Sequence, residues 1–450
     1  MNAASLIGHV TELLRLIDGS RQPPDRTVSA FLKERHYLGA RDRRAVSESV
    51  YGMIRSRRYL EAILEEFTLR HPEHAEIETR PTRYLLLYLI FTTAIAGASS
   101  PSGEALPEMP GGLWSSMFPK ADLEETKSWI TRNAGLEFLP DDQAIRLGVQ
   151  YSFQDWMVES WLRQYTSEAD QLMQSLNEPA RTTLRVNTLK ASRDDCRERL
   201  RQEGIETEPT PRSSDGLIAT KRFTTHSSPA FKEGWFEIQD EGSQLVSIIA
   251  DPKPGERVID VCAGAGGKSL HLAALMGNEG KITAMDVETK RLHELMERAK
   301  RAGARSILTQ VTRTGDGRHV PEAADLVLVD APCTGVGTIR RNPGLKWSVA
   351  ESDVSRYAAR QSDILASSAG LVATGGRLVY ATCSLFSGEN EEVVAWFLDM
   401  HREFGVDRSA GSEAGLQSDH GYIRLLPHRH GTDGFFIAVL RRGAPALHLH

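Results

Sequence analysis

Apolar positions in the first part of the chain recur at helical spacing. Leu6, Val10, Leu13, Leu14 and Ile17 keep a period close to 3.6, and Val46, Val50, Met53 and Ile54 repeat it ahead of Tyr59, Leu60 and Ile63. The first 165 or so residues therefore read as helices. Residues 84–98 form an apolar stretch too short and too rich in Thr and Gly to span a membrane, and read as a buried helix. The Ser, Gly and Pro clusters of 99–119 read as a loop, and a helix carrying Trp156, Val158 and Trp161 closes this portion.

The pattern changes near residue 165. A helix over 169–176, a strand over 182–187, a charged helix over 192–203 and short strands near Leu217 and Trp235 predict a small α+β module. From Lys253 onward, apolar runs at 257–261, 281–286, 306–311, 326–330 and 376–381 alternate with helical patterns, the signature of βαβ units and a parallel sheet. A last strand is expected over 435–440.

At 450 residues the chain is long enough for two to four domains, and 40% apolar with 25% charged residues is ordinary for a soluble globular protein. The N-terminus lacks a basic region followed by an apolar segment and a small-residue cleavage site, which argues against secretion. Four cysteines without a C-x-x-C pair argue against a disulfide framework or a zinc site and fit a reducing cytoplasm. His428, His430 and the C-terminal histidines lack ligand spacing, so no metal is expected. The net charge of -6 carries no global sign of nucleic-acid binding, but it is unevenly placed. Residues 1–60 hold 11 Lys/Arg against 6 Asp/Glu, and 61–170 hold 8 against 18, so a basic face including Arg41, Arg43, Arg44, Arg55, Arg57 and Arg58 is expected in the first segment.

The candidate chemistry sits at strand ends. One apolar run closes in Asp330-Ala331-Pro332-Cys333 and another in Thr382-Cys383-Ser384. Reacting groups of an open α/β sheet collect at the carboxyl ends of its strands, so both thiols could reach one crevice. Upstream, Cys262-Ala263-Gly264-Ala265-Gly266-Gly267-Lys268 is a glycine-rich turn whose backbone N–H groups can approach a ligand. Position 269 is Ser, so the G-x-G-x-x-G dinucleotide fingerprint is not met and an NAD-dependent oxidoreductase is disfavoured. S-adenosylmethionine, which has no pyrophosphate, suits the turn better. Asp286 is placed to accept from its ribose hydroxyls, and Asp316 to bond the adenine amino group.

These motifs identify a resemblance. Leu184-Arg185-Val186-Asn187-Thr188, Ile238-Gln239-Asp240-Glu241-Gly242-Ser243, the 262–268 loop, Asp330 to Gly335, Arg340-Arg341-Asn342-Pro343 with Lys346-Trp347, Thr382-Cys383-Ser384 and Glu389-Asn390-Glu391 resemble, in that order, the RsmB/Sun family of S-adenosylmethionine-dependent RNA (cytosine-5) methyltransferases. The likeness covers roughly residues 165–440. The first 140 residues resemble a helical NusB-type RNA-binding module through Asp42-Arg43-Arg44 and Val50-Tyr51-Gly52-Met53-Ile54-Arg55. Ala265 departs from the family, whose loop usually has Pro there.

The resemblance implies an α/β chain in three parts: a NusB-like all-helical domain (1–140), linker helices with a small α+β RNA-recognition module (141–250), and a Rossmann-like class I methyltransferase domain (251–442). It assigns the attacking sulfur to Cys383, a role in proton removal or product release to Cys333, and the cytosine edge to Asp330; Lys268 is placed either at the methionine portion or beside the cysteines. The cofactor set is Cys262, Ala263, Gly264, Ala265, Gly266, Gly267, Lys268, Asp286, Arg291, Asp316 and Asp330. Arg340, Arg341 and Lys346, in an acid-free segment over 331–350, are expected at RNA phosphates, and Trp347 in the core rather than stacked on RNA. The expected substrate is RNA, first of all 16S ribosomal RNA, with transfer RNA as the alternative. DNA methylation is disfavoured because the Thr-Cys-Ser site would be unnecessary, and a non-catalytic ribosome-assembly factor because both cysteines are intact. A cytoplasmic monomer without membrane association is expected.

Overall fold

The computed structural model describes residues 1–20, 22–72, 80–95, 106–312, 322–416 and 420–443. These residues belong to two compact units: Met1–Pro179 with Ile339–Ala350, and Ala180–Thr338 with Glu351–His450.

The first unit is helical. Its helices include Ala3–Asp18, Pro24–Glu34, Ala40–Arg55, Arg57–Arg70, Arg80–Ile90, Leu123–Asn133, Gln143–Gln150, Asp155–Tyr165 and Ala169–Asn177. Asn2, Asp122 and Asp142 cap helix N-termini by accepting from backbone N–H groups three residues on, as short polar side chains do at such positions. The expected spacing holds, since Leu6, Val10, Leu13, Val46, Val50, Leu60 and Ile63 are buried in one core. Part of the segment expected as a loop is helical, at Gly111–Met117, where Trp114 is buried and its Nε1–H donates to Ala121 O.

Arg58 donates to Phe153 O while its backbone N–H donates to Ser152 Oγ, tying the later helices of this unit to the earlier ones. One expectation needs correcting here. The basic face of residues 1–60 is largely spent on internal partners. The Arg43 guanidinium donates to the carbonyls of Leu32, Arg35 and Leu38, Arg57 pairs with Asp18, Arg58 pairs with Asp155, and Arg55 donates to Arg340 O. Arg41 and Arg44 are exposed.

The segment Ile339–Ala350 also departs from expectation. Lys346 is fully buried, and its Nζ donates to Arg55 O, Tyr151 O and Asn177 Oδ1 while lying 3.9 Å from the Phe153 ring centre. Burial, and then the Arg55 charge, pull its pKa well below the usual lysine range. Arg340 is buried as well and donates to Glu178 O. These two cations are structural rather than phosphate ligands. Trp347 packs on the core, as expected, and donates to Ile54 O.

The second unit holds two sheets. The smaller is antiparallel, in the order β2-β3-β1-β4, from β1 (Thr183–Val186), β2 (Thr207–Pro209), β3 (Gly216–Ala219) and β4 (Phe236–Ile238). The helix Arg193–Gln202 covers it with Cys196 and Leu200, which pack beside Leu184, Leu217 and Phe236. The larger sheet uses β5 (Arg257–Asp260), β6 (Lys281–Asp286), β7 (Ile307–Val311), β8 (Ala324–Asp330), β9 (Val372–Thr382), β10 (Phe404–Val406), β11 (Tyr422–Leu425) and β12 (Phe435–Arg442). Its order is β10-β12-β9-β8-β5-β6-β7, with β11 also on β12. The strands from β7 across to β9 are parallel, whereas β12 runs antiparallel to β9.

The central strands of the larger sheet are buried on both faces, which is why they read as continuous apolar runs. Leu326, Leu328, Val379 and Ala381 pack on one side with Leu245 and Leu270, while the alternate residues Val327, Val329, Leu378 and Tyr380 pack on the other with Leu365 and Phe397. Strand order reverses between β5 and β8, so the carboxyl ends of these two neighbours frame a crevice at a topological switch point. No helix among the described residues is long and apolar enough to cross a membrane.

Lys346→Ala should lower stability by about 2–4 kcal/mol, because three oxygens lose a shared donor and the buried stem leaves a cavity. Calorimetric melting checks this: an unchanged melting temperature would show that the buried ammonium does not hold the segment in place.

Candidate active site

At the switch point, β5 ends in Asp260 and the chain turns through 261–267 into the helix Gly267–Leu275. Gly264 and Gly266 have φ of 55° and 84°, and a side chain at Gly266 would collide with Leu295, so glycine is required there on both counts. The turn is pinned along its backbone. Ala263 N–H donates to Met285 O, Gly264 N–H to Asp286 Oδ2, and Ala265 O accepts from Arg298 Nη1 at 2.7 Å.

Asp286, at the end of β6, also accepts from Glu288 N–H through Oδ1 at 2.8 Å. Both oxygens thus hold backbone and keep further lone pairs for a ligand. Arg291 borders the same space, its Nε 3.3 Å from Glu288. Asp316 lies outside the described residues.

Asp330, at the end of β8, accepts from Lys268 Nζ at 2.6 Å, and Lys268 is nearly buried. Asp260 is buried, with Oδ2 accepting from Ser269 Oγ and Oδ1 without a partner among the described residues. Burial pushes the Asp260 carboxyl up to about 7, and the neighbouring Asp330 and Asp286 charges add to the rise.

The two cysteines meet. Cys333 Sγ and Cys383 Sγ are 3.4 Å apart and share a hydrogen bond. That bond and burial push the Cys333 thiol well above the usual cysteine range. Burial likewise raises Cys262, with the charge of Asp260 adding to it.

A cavity of about 570 Å³ joins these groups. Cys262, Ala263, Gly264, Ala265, Asp286, Arg291, Asp330, Cys333 and Cys383 line it. Gly266, Gly267 and Lys268 are not on its wall; the first two shape the turn, and the third reaches the site through Asp330. The volume is that of a small-molecule site. At Gly264 a Cβ would meet nothing nearer than Arg291 Nη1 at 3.9 Å, so the backbone there borders open space in which a nucleoside could lie. Sequence reasoning assigned no role to Gln361, Arg298 or Glu389, which hold the loops from behind. For Glu389 the motif Glu389-Asn390-Glu391 was a visible signal.

The family model for "16S rRNA methyltransferase RsmB/F" matches residues 247–441, and that for its ferredoxin-like domain matches 153–226. A "probable ribosomal RNA small subunit methyltransferase B" of Synechocystis sp. is 33% identical over 418 residues, covering 91% of this chain and 93% of its own. The ribosomal RNA small subunit methyltransferase B of Yersinia pseudotuberculosis is 30% identical, covering 92% and 94%. The crystal structure of PH0851 superposes with a TM-score of 0.74 at 29% identity, covering 97% of this chain and 98% of that one.

The raised Asp260 carboxyl has a pH consequence. A group held protonated by the fold contributes its stability below its unfolded pKa, about 4, and that contribution drains away as pH rises towards its folded value of about 7. Asp260→Asn, neutral throughout, should therefore melt higher than the parent at about pH 8, with the gap narrowing as pH falls and closing only below about pH 4. A gap of the same size at both pH values, measured without added ligand, would show that Asp260 is not the group responsible.

Proposed function

Because the chain belongs to the RsmB/F family of 16S rRNA methyltransferases, we propose that it methylates C5 of a cytosine in small-subunit ribosomal RNA, using S-adenosylmethionine and a covalent bond from Cys383 to C6 of the base. The observation that carries this reading is the pair of thiols 3.4 Å apart on the wall of the cavity that the glycine turn borders.

Bound S-adenosylmethionine supplies an electrophilic methyl group. The turn 262–265 would face it with backbone, Asp286 would accept from its ribose hydroxyls, and Arg291 would close the outer wall. Cytosine C5 is a poor nucleophile until a group adds at C6. The Cys383 thiolate forms that bond, and the C5=C6 electron pair moves to C5, which takes the methyl group. Asp330 accepts from the exocyclic amino group of the cytosine, and the Lys268 ammonium beside it offsets the negative charge that builds on the ring. Cys333, kept as a thiol, does not compete for C6. It is next to the reacting sulfur for the last step: the Cys333 thiol gives its proton to the departing Cys383 sulfur, the Cys333 thiolate so formed takes the C5 proton, and the freed C–H electron pair restores the C5=C6 bond as the C6–sulfur bond breaks.

Asp286→Ala should weaken S-adenosylmethionine binding by about 1–3 kcal/mol in calorimetry, and undiminished affinity would remove Asp286 from the site. The two cysteines should fail in opposite ways. With 16S rRNA as substrate and bisulfite sequencing as the assay, Cys383→Ala should give neither C5 methylation nor an RNA adduct. Cys333→Ala should accumulate a covalent adduct, seen as a slow band on a denaturing gel. Adduct from the Cys383 variant alone would reverse the roles, and methylation intact in both variants would end the thiol mechanism.

A further inference from the structure

Behind the thiols lies a carboxylate that the mechanism above does not use. Glu389 is fully buried in the turn Ser387–Glu389 that follows β9. Its Oε1 accepts from Thr334 N–H at 2.8 Å and Gln361 Nε2 at 3.1 Å, and its Oε2 from the hydroxyls of Thr334 and Ser384. Thr334 follows Cys333 and Ser384 follows Cys383, so one carboxylate holds the residue after each thiol. Gln361 also donates to Pro332 O, bracing the first cysteine loop from its other side. Asn390 completes the clasp, accepting from Thr382 Oγ1 and donating to Ser384 O on either side of Cys383.

We propose that Glu389 is the positioning residue of the thiol pair: by holding Thr334 and Ser384, its carboxylate sets the separation of Cys333 and Cys383. This rests on the thiol mechanism proposed above. Burial pushes the Glu389 carboxyl up, and the hydrogen bonds from Ser384, Thr334 and Gln361 oppose that rise by favouring the ionised form. The charge then acts on Cys333, adding to the shared hydrogen bond and burial in disfavouring a thiolate there. Cys383 and Tyr380 also face Cys333 from β9 and its end, and the cavity adds Asp330 from the end of β8 with Tyr357 and Arg360 from the helix Glu351–Ala369. Among these neighbours Glu389 is the acid hydrogen-bonded to the residue after each cysteine.

Two near-isosteric variants separate charge from spacing. Glu389→Gln keeps the shape and removes the charge. In the resting full-length protein at neutral pH, iodoacetamide labelling read by peptide mass spectrometry should shift towards Cys333, relative to Cys383, by about tenfold. Ser384→Ala keeps the charge and cuts the tie to the second loop. It should lower kcat by about 100-fold, the cost of a small misplacement of a reacting group, with KM for RNA and the labelling of Cys333 unchanged. An unchanged labelling ratio in folded Glu389→Gln would overturn the charge role, and parental kcat in Ser384→Ala would overturn the spacing role. A labelling shift in a protein whose parent does not methylate cytosine would uphold the control of Cys333 by Glu389 and refute the reaction proposed for the site.

Discussion

Parallel pairing of β8 with β9 sets Asp330 opposite Ala381, and from that register the positions of both thiols follow. Cys333 and Cys383 leave the sheet at the same edge because each lies a few residues past a paired position. The register is stiffly determined, since alternate residues of both strands belong to different cores, and a slip by one would exchange Val327 with Leu328 and Val379 with Tyr380 between opposite faces. The reversal of strand order between β5 and β8 then brings the glycine turn beside the cysteines. Sheet topology assembles the site, and the polar clasp behind it sets its fine spacing.

The same convergence concentrates acid. Asp260, Asp286 and Asp330 all end strands at this edge, with Lys268 in contact with one of them. Asp286 accepts from two backbone N–H groups and Asp330 from the Lys268 ammonium. Asp260, buried and with one oxygen unpartnered, is left to take up a proton near neutrality. Desolvation wins there because a single hydroxyl from Ser269 cannot replace water around a carboxylate.

Much of this was legible in the sequence because burial on both faces writes a strand as an apolar run. The runs at 281–286 and 326–330, the glycine turn and the cysteines at strand ends led to the cavity wall. Short strands were not legible: β2 and β10 are three residues each, and β11 interrupts a stretch with no clear period. Nor could sequence show that β12 runs antiparallel to β9, because a strand buried on both faces reads the same in either direction. Lys346 and Arg43 misled for a different reason. A cation in an acid-free segment, or within a run rich in Arg, suggests phosphate, but backbone carbonyls can satisfy it equally well, and they carry no side-chain signature. Glu389 was visible as a motif without a role, since its donors come from the distant positions 334 and 361.

The proline missing at position 265 shows how distant residues can settle a local question. A proline would restrict the turn through its own ring, whereas here the Ala265 carbonyl is held by Arg298, which is itself fixed to Glu237 of β4. Arg185 of β1, buried and pulled down to about 10 by that burial, donates to Gly267 O at the other end of the turn and to Gln239. Both tethers originate in or against the small antiparallel sheet. That sheet therefore supports the glycine turn mechanically, and a change in its packing would reach the cavity through Arg185 and Arg298 without touching a residue on the cavity wall.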